Sequence, residues 1–197
     1  MIVLGITGGI GSGKTTVCNM FKSIGIPVYN SDHEAKELMQ SSNLIRTKIC
    51  SRFGDEAYLN GTLNKHFISK NIFKQKNLLK EINNIVHPEV SLHFNKWLSS
   101  KKSIYVIKEI AILFELSLEN QFDYILTVTA PEDKRIERVI NRDKKSIDEV
   151  KSIINNQLKD SKKINKSDFV INNICLNQTL KCVYEIHNKI IKNIHLK

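Results

Sequence analysis

Five continuous apolar runs divide the chain: Ile2-Val3-Leu4 with Ile6, Ile26-Pro27-Val28-Tyr29, Ser103-Ile104-Tyr105-Val106-Ile107, the run from Asp123 to Ala130, and Phe169-Val170-Ile171. Runs this rich in apolar residues are how strands buried on both faces of a parallel sheet read. Between them the apolar positions recur at helical spacing. Val17, Met20, Phe21 and Ile24 share one face, and Gly25 supplies a natural stop. Pro131 suits a first helical position, with Glu132 and Asp133 on the favourable end of the dipole. Ser146-Ile147-Asp148-Glu149 is a capping box, opening a helix expected to run through Gln157. Leu180, Val183, His187, Ile190 and Ile194 trace one face of a closing amphipathic helix. From about Leu38 to Leu98 the pattern is mostly helical and poor in glycine, with Gly54 and Gly61 as breaks. It reads as an insertion between the second and third core strands. The alternation of strands and helices predicts an α/β fold with a parallel sheet flanked by helices.

The first run leads into Gly8-x-x-x-x-Gly13-Lys14-Thr15, a glycine-rich phosphate loop in strand–loop–helix order. Without a Cβ, Gly8, Gly11 and Gly13 allow consecutive N–H groups to converge on an anion. The helix that follows offers unpaired N–H groups and a partial positive charge at its first turn. Gly9, Gly11, Ser12, Gly13, Lys14, Thr15 and Thr16 are therefore the expected phosphate ligands. Lys14 brings an ammonium to the β/γ-phosphates, and the Thr15 hydroxyl is the expected ligand of a phosphate-bound Mg²⁺.

Two further groups suit the same chemistry. The second strand runs into Asn30-Ser31-Asp32, and ligands of open α/β sheets gather at the carboxyl ends of strands. Asp32 reads both as a base for an incoming hydroxyl and as an N-cap for the helix after it, two compatible roles. Arg135, Arg138 and Arg142 follow one another at spacings of three and four, on one helix face. Lysine is the usual cation in this chain, so three clustered guanidinium forks point to phosphate contact, the alternative being a solvated helix that pairs them with Glu132, Asp133 and Asp143.

Composition narrows the classes. At 197 residues and 41% hydrophobic, the chain can bury one sizeable core. No apolar run approaches the ~20 residues of a membrane span, and no basic region followed by an apolar segment precedes the first strand. Cys18, Cys50, Cys175 and Cys182 show neither C-x-x-C pairing nor zinc spacing, so reduced thiols and a cytoplasmic location are expected, with no membrane partner. The net charge of +10 raises nucleic-acid binding. However, the lysines are spread along the whole chain and no RNA- or DNA-binding motif occurs, so no nucleic-acid partner is expected.

These motifs together resemble the dephospho-coenzyme A kinase family. GITGGIGSGKTTV matches its phosphate loop, and Asn30-Ser31-Asp32 stands where the family usually has Asp-Ala-Asp, with the base position kept as Asp32. Phe53-Gly54, Gly61-Thr62-Leu63, Ile72-Phe73 and His87-Pro88 follow the family's order through the insertion. Ile110-Ala111-Ile112-Leu113-Phe114-Glu115 resembles its PLLfE, Glu137-Arg138-Val139-Ile140-Asn141-Arg142-Asp143 its lid, and Asp168 to Asn173 its last core strand near the adenine site.

The resemblance implies a P-loop kinase, a single domain over 1–197. Its core would be 1–37, 101–131 and 167–197, with a helical coenzyme A-binding insertion at about 38–100 and a helical lid at about 132–166. It implies ATP and Mg²⁺, phosphoryl transfer to the ribose 3′-hydroxyl of dephospho-coenzyme A, and catalysis by Asp32, Lys14, Arg138 and Arg142. Asp32, Lys65, His87 and Glu115 are the implied acceptor contacts. Lys65 replaces the family's Arg. His87 reads first as a side chain packed at a bend and second as a contact, and Glu115 as either a contact or a solvated helix residue.

The rivals are weaker. Asn165-Lys166-Ser167-Asp168 has the N-K-x-D form of a guanine-reading motif, but its apolar strand follows rather than precedes it. No D-x-x-G occurs, and no glycine follows Gly61. Val106-Ile107-Lys108-Glu109 is a poor version of the long apolar strand ending in an acid that a transport ATPase needs. Another nucleoside or nucleotide kinase is the alternative within the class, and a nucleic-acid-binding ATPase the alternative outside it.

Overall fold

The run Ile2–Thr7 forms β1 at the middle of a five-stranded, wholly parallel sheet in this computed structural model, which describes residues 1–64, 66–68 and 77–195. Lys65 and the Ile72-Phe73 pair lie outside the described residues. The other strands are β2 (Val28–Asn30), β5 (Tyr105–Glu109), β6 (Tyr124–Thr129) and β7 (Phe169–Asn172), in the order β2-β5-β1-β6-β7. Five apolar runs of the sequence are thus five strands. Because the order reverses at β1, the crevice beyond its carboxyl end is the expected ligand site of such a sheet. Register brings Glu109 opposite both Ile6 and Asn30, and Asn172 opposite Thr129.

Helix α1 (Lys14–Ser23) and the closing helix α8 (Leu176–His195) bury Val17, Phe21, Val183, Ile186 and Ile190 against Leu4, Ile6, Ile107, Leu126 and Val128. The predicted stop at Gly25 is present: its N–H donates to the Lys22 carbonyl and its φ is 87°. A second cluster of Ile110, Leu113, Phe114 and Ile125 includes Phe122, whose ring packs on Gly5 so closely that a Cβ there would collide with it. Helices α5 (Glu132–Asp143), α6 (Ile147–Asn156) and α7 (Asp160–Ile164) follow β6. Both bonds of the capping box at Ser146 and Glu149 are present. Pro131 caps α5 rather than opening it, and its carbonyl accepts from the Arg135 N–H at 3.0 Å.

Residues 31–101 form a second compact unit, and residues 1–30 with 102–197 form the first. Within the second, α2 (Ser31–Ser41) and α3 (Asn43–Phe53) pack on the long α4 (Asn77–Ser99), burying Ile45, Ile49, Ile82, Val86, Val90 and Phe94. Ion pairs Lys48–Glu89 and Arg52–Glu81 join α3 to α4. The break expected at Gly61 is a hairpin, β3 (Tyr58–Leu59) with β4 (Thr62–Leu63). Asn60 and Gly61 both have positive φ, the signature of the two-residue turn that suits strand twist. Among the described residues, no helix is long and apolar enough to cross a membrane.

Lys108 is buried on β5, and loss of water pushes its ammonium down to about 8. Its proton is held less tightly in the folded chain than in the unfolded one. The charge therefore costs stability below about pH 8, and that cost is relieved as pH rises towards the ordinary lysine value. Denaturation at a series of pH values should show stability rising more steeply between pH ~8 and ~10.5 in the wild type than in Lys108→Met. Parallel curves would show that Lys108 stays charged through this range.

Candidate active site

The phosphate loop lies beyond β1 and packs against β6, β7 and α5. Gly8 is in contact with the Val128 carbonyl and the Ser12 hydroxyl, so any Cβ would clash. Gly13, at φ 92°, is the left-handed residue that starts α1, and its missing Cβ leaves room for the Asn173 amide. Ser12 is fully buried, and its hydroxyl has no partner among the described residues. The N–H groups of the first turn of α1 have no helical acceptor by geometry and face the same crevice. Lys14 donates from Nζ to the carbonyls of Gly8 at 3.0 Å and Gly9 at 3.3 Å, folding its ammonium over the loop.

A carboxylate that sequence reading treats only as the end of a poor transport-ATPase strand, Glu109, sits beside this loop. Glu109 ends β5 with 4% exposure. Its Oε1 accepts from the Thr15 hydroxyl at 3.2 Å and its Oε2 from the Asn30 amide at 2.7 Å. Burial, reinforced by Glu109, pushes the neighbouring Cys18 thiol up, so Cys18 stays neutral. The amide at position 30 now has a physical reason: it donates to a carboxylate on the adjacent strand. Asn30→Asp would set two carboxylates face to face, and like charges raise one another's pKa. The acid limb of its pH–rate profile is expected at higher pH than in the wild type. An unmoved limb would mean that Glu109 does not need its charge.

Asn173, just past β7, is a second group whose contacts only the structure gives. It is buried, its Nδ2 donates to the Ser12 carbonyl at 3.0 Å, and its Oδ1 accepts from Thr179 at 3.0 Å. Its carbonyl accepts from Nη2 of Arg138 at 2.9 Å, and Nη1 of Arg138 makes long contacts of 3.4 Å to the Gly11 and Ser12 carbonyls. Arg138 thus stands at the loop. The other two arginines differ from expectation. Arg142 is exposed, with both arms of its fork on Asp143 at 2.7 and 2.8 Å. Arg135, the weakest of the three on sequence grounds, is buried against the loop and paired with Asp160 at 2.9 Å.

Glu115 lies in a turn rather than a helix and is exposed, yet its carboxylate is engaged. Its Oε1 accepts from the Leu158 N–H at 2.9 Å and lies 3.0 Å from the ammonium of Lys163, which is fully buried. Asp32 lies in the first turn of α2, which begins at Ser31, so it is a helical residue rather than the N-cap. The carboxylate is exposed. His87 is half-buried in α4 beside Pro88, and burial holds its imidazole below the usual value while the Asp32 carboxylate acts to raise it. The two side chains are therefore within electrostatic reach inside the second unit.

Comparison with known proteins agrees with this geometry. The family model described as Dephospho-CoA kinase matches residues 2–178. The dephospho-CoA kinase of Bacteroides fragilis is 38% identical over 173 residues, covering 87% of this chain and 84% of that protein. The one from Porphyromonas gingivalis is 41% identical over 143 residues, 73% of this chain and 71% of that protein. A crystal structure from Thermus thermophilus superposes with a TM-score of 0.86 at 30% identity, over 95% of this chain and 96% of that one. With a family model matched from residue 2 to residue 178 and relatives of this identity and coverage, the chain belongs to the dephospho-CoA kinase family.

Proposed function

We propose that the protein transfers the γ-phosphoryl group of ATP to the ribose 3′-hydroxyl of dephospho-CoA, giving CoA. The observation that carries this reading is the family's phosphate loop closed by its own cations: Lys14 and Arg138 both rest on loop carbonyls, where incoming phosphate oxygens would take their place. Little covalent chemistry is asked of the protein in phosphoryl transfer, so the work is positioning and charge placement. The loop N–H groups from Gly11 to Thr16, with Gly9 and Ser12 shaping the turn, hold the β/γ-phosphates. Lys14 and Arg138 stabilise charge on the equatorial oxygens, and Arg142 joins them by releasing Asp143.

The oxygen set formed by Thr15 and Glu109 fits Mg²⁺, a hard cation that prefers carboxylate, hydroxyl and water ligands. Thr15 and Glu109 would hold the ion, which would supply positive charge to offset that of the phosphates. Asp32, two residues after Asn30, is the base that takes the 3′-hydroxyl proton. Lys65 and His87 are the proposed acceptor contacts, whereas Glu115 holds the segment 132–166, the proposed lid, through Leu158 and Lys163. Residues 31–101 supply the acceptor-binding unit. The parts are those of a cytoplasmic enzyme acting on small molecules.

A coupled ADP-release assay tests the reading by comparing dephospho-CoA with adenosine, AMP and pantothenate, with and without added DNA or RNA. ADP release that depends on dephospho-CoA and ignores nucleic acid is expected. Preference for adenosine or AMP would place the chain with the nucleoside and nucleotide kinases.

A further inference from the structure

Ile10 stands in the middle of the phosphate loop, and its backbone is gripped from both sides. Its N–H donates to Oε1 of Gln157 at 2.8 Å, and its carbonyl accepts from Nε of Arg135 at 2.8 Å. Arg135 is itself held by Asp160. The three side chains come from α5, from the residue that ends α6, and from the start of α7. Arg135 also fills the space over Gly9 and Gly11, where a Cβ would strike its guanidinium and its backbone respectively.

A trans peptide is planar, with its C=O and N–H pointing in opposite directions. Fixing the Ile10 carbonyl on Arg135 therefore aims the Gly11 N–H the other way. Fixing the Ile10 N–H on Gln157 likewise aims the Gly9 carbonyl, which accepts from the Ser12 N–H at 3.2 Å and from Lys14 Nζ at 3.3 Å. The flanking Gly9 and Gly11 have no Cβ to resist rotation of these peptides, and Gly11 already sits at φ 76°. Without an outside hold, the orientation of two successive peptides is weakly determined.

We propose that Gln157, Arg135 and Asp160 are positioning residues that set the phosphate loop by clamping the two peptides at Ile10, coupling the segment 132–166 to phosphate binding. The proposal rests on the reading of this loop as the ATP site. It assigns no phosphate contact to Gln157 or Asp160. They act through the backbone of the loop, and ATP affinity depends on them because a rotated peptide withdraws an N–H from the anion.

The experiment uses Gln157→Leu, which removes the acceptor at similar size, and Gln157→Glu, which restores an acceptor oxygen. A cavity of about 340 Å³ beside the clamp, lined in part by Gln157, Arg135 and Asp160, gives the leucine room without forcing the fold. Calorimetric ATP binding, KM for each substrate, kcat and Tm are measured for all three proteins. Gln157→Leu should weaken ATP binding and raise the ATP KM roughly three- to tenfold, the factor one hydrogen bond is worth. Its KM for dephospho-CoA and its Tm should stay near the wild type, and Gln157→Glu should return ATP binding to within about twofold. Unchanged ATP affinity in Gln157→Leu overturns the proposal, as does a joint shift of both KM values with Tm, the mark of general destabilisation. Failure of the wild type to bind ATP overturns the reading of the site itself.

Discussion

Asp32→Asn is expected to lower turnover by about 10²–10⁴ while ATP binding survives, the usual span for loss of general-base help. The replacement is nearly isosteric, so what is lost is the carboxylate's capacity to take a proton. Asn30 cannot supply it: an amide accepts no proton in this range, and its nitrogen donates to Glu109. Glu109 is no substitute either, because it is buried and its two oxygens are engaged by Thr15 and Asn30. Asp32 is exposed in the first turn of α2, where an incoming hydroxyl can reach it. Steady-state rates with ATP binding in parallel decide the matter. If Asp32→Asn keeps more than about a tenth of wild-type turnover, the base assignment fails and Asp32 only positions the acceptor.

Replacing Lys14 by Met should cost about 10³-fold or more in turnover, since it removes a positioned cation from the phosphoryl group as charge develops. The fold should be little affected. Lys14 is half-buried, and the polar partners of its Nζ described above are carbonyls of its own loop, Gly8 and Gly9. The Gly9 carbonyl still accepts from Ser12. The methionine stem replaces most of the apolar length of lysine. Thermal unfolding should therefore remain cooperative, with Tm within a few degrees of the wild type. Loss of cooperative unfolding would identify Lys14 as a structural residue, and retained turnover would exclude it from the transfer.

Much of this molecule was legible without coordinates because it rests on contacts within one turn or one strand. The phosphate loop is a run of glycines whose conformations are permitted by the absence of a Cβ, and strand, loop and helix follow within 23 residues. The capping box and the helix stop at Gly25 join residues three apart. The hairpin at Asn60-Gly61 is local too, since Asn-Gly is a strong turn signal, stronger than the simple break expected at Gly61. Helical spacing sets Arg135, Arg138 and Arg142 on one face, but only the fold gives Arg138 the loop carbonyls, Arg142 the Asp143 carboxylate and Arg135 that of Asp160, because periodicity gives a face and not the partner that the face meets.

The tertiary structure decided the rest. Glu109 reaches Thr15 across 94 positions, Gln157 reaches Ile10 across 147, and Asn173 reaches Ser12 across 161. No local propensity encodes such pairs. They exist because the order β2-β5-β1-β6-β7 brings the carboxyl ends of β2, β5, β6 and β7 around the end of β1. That order is a property of the packed sheet, fixed by which apolar faces bury one another, and a polar residue at a strand end acquires its role only once its neighbours have been chosen.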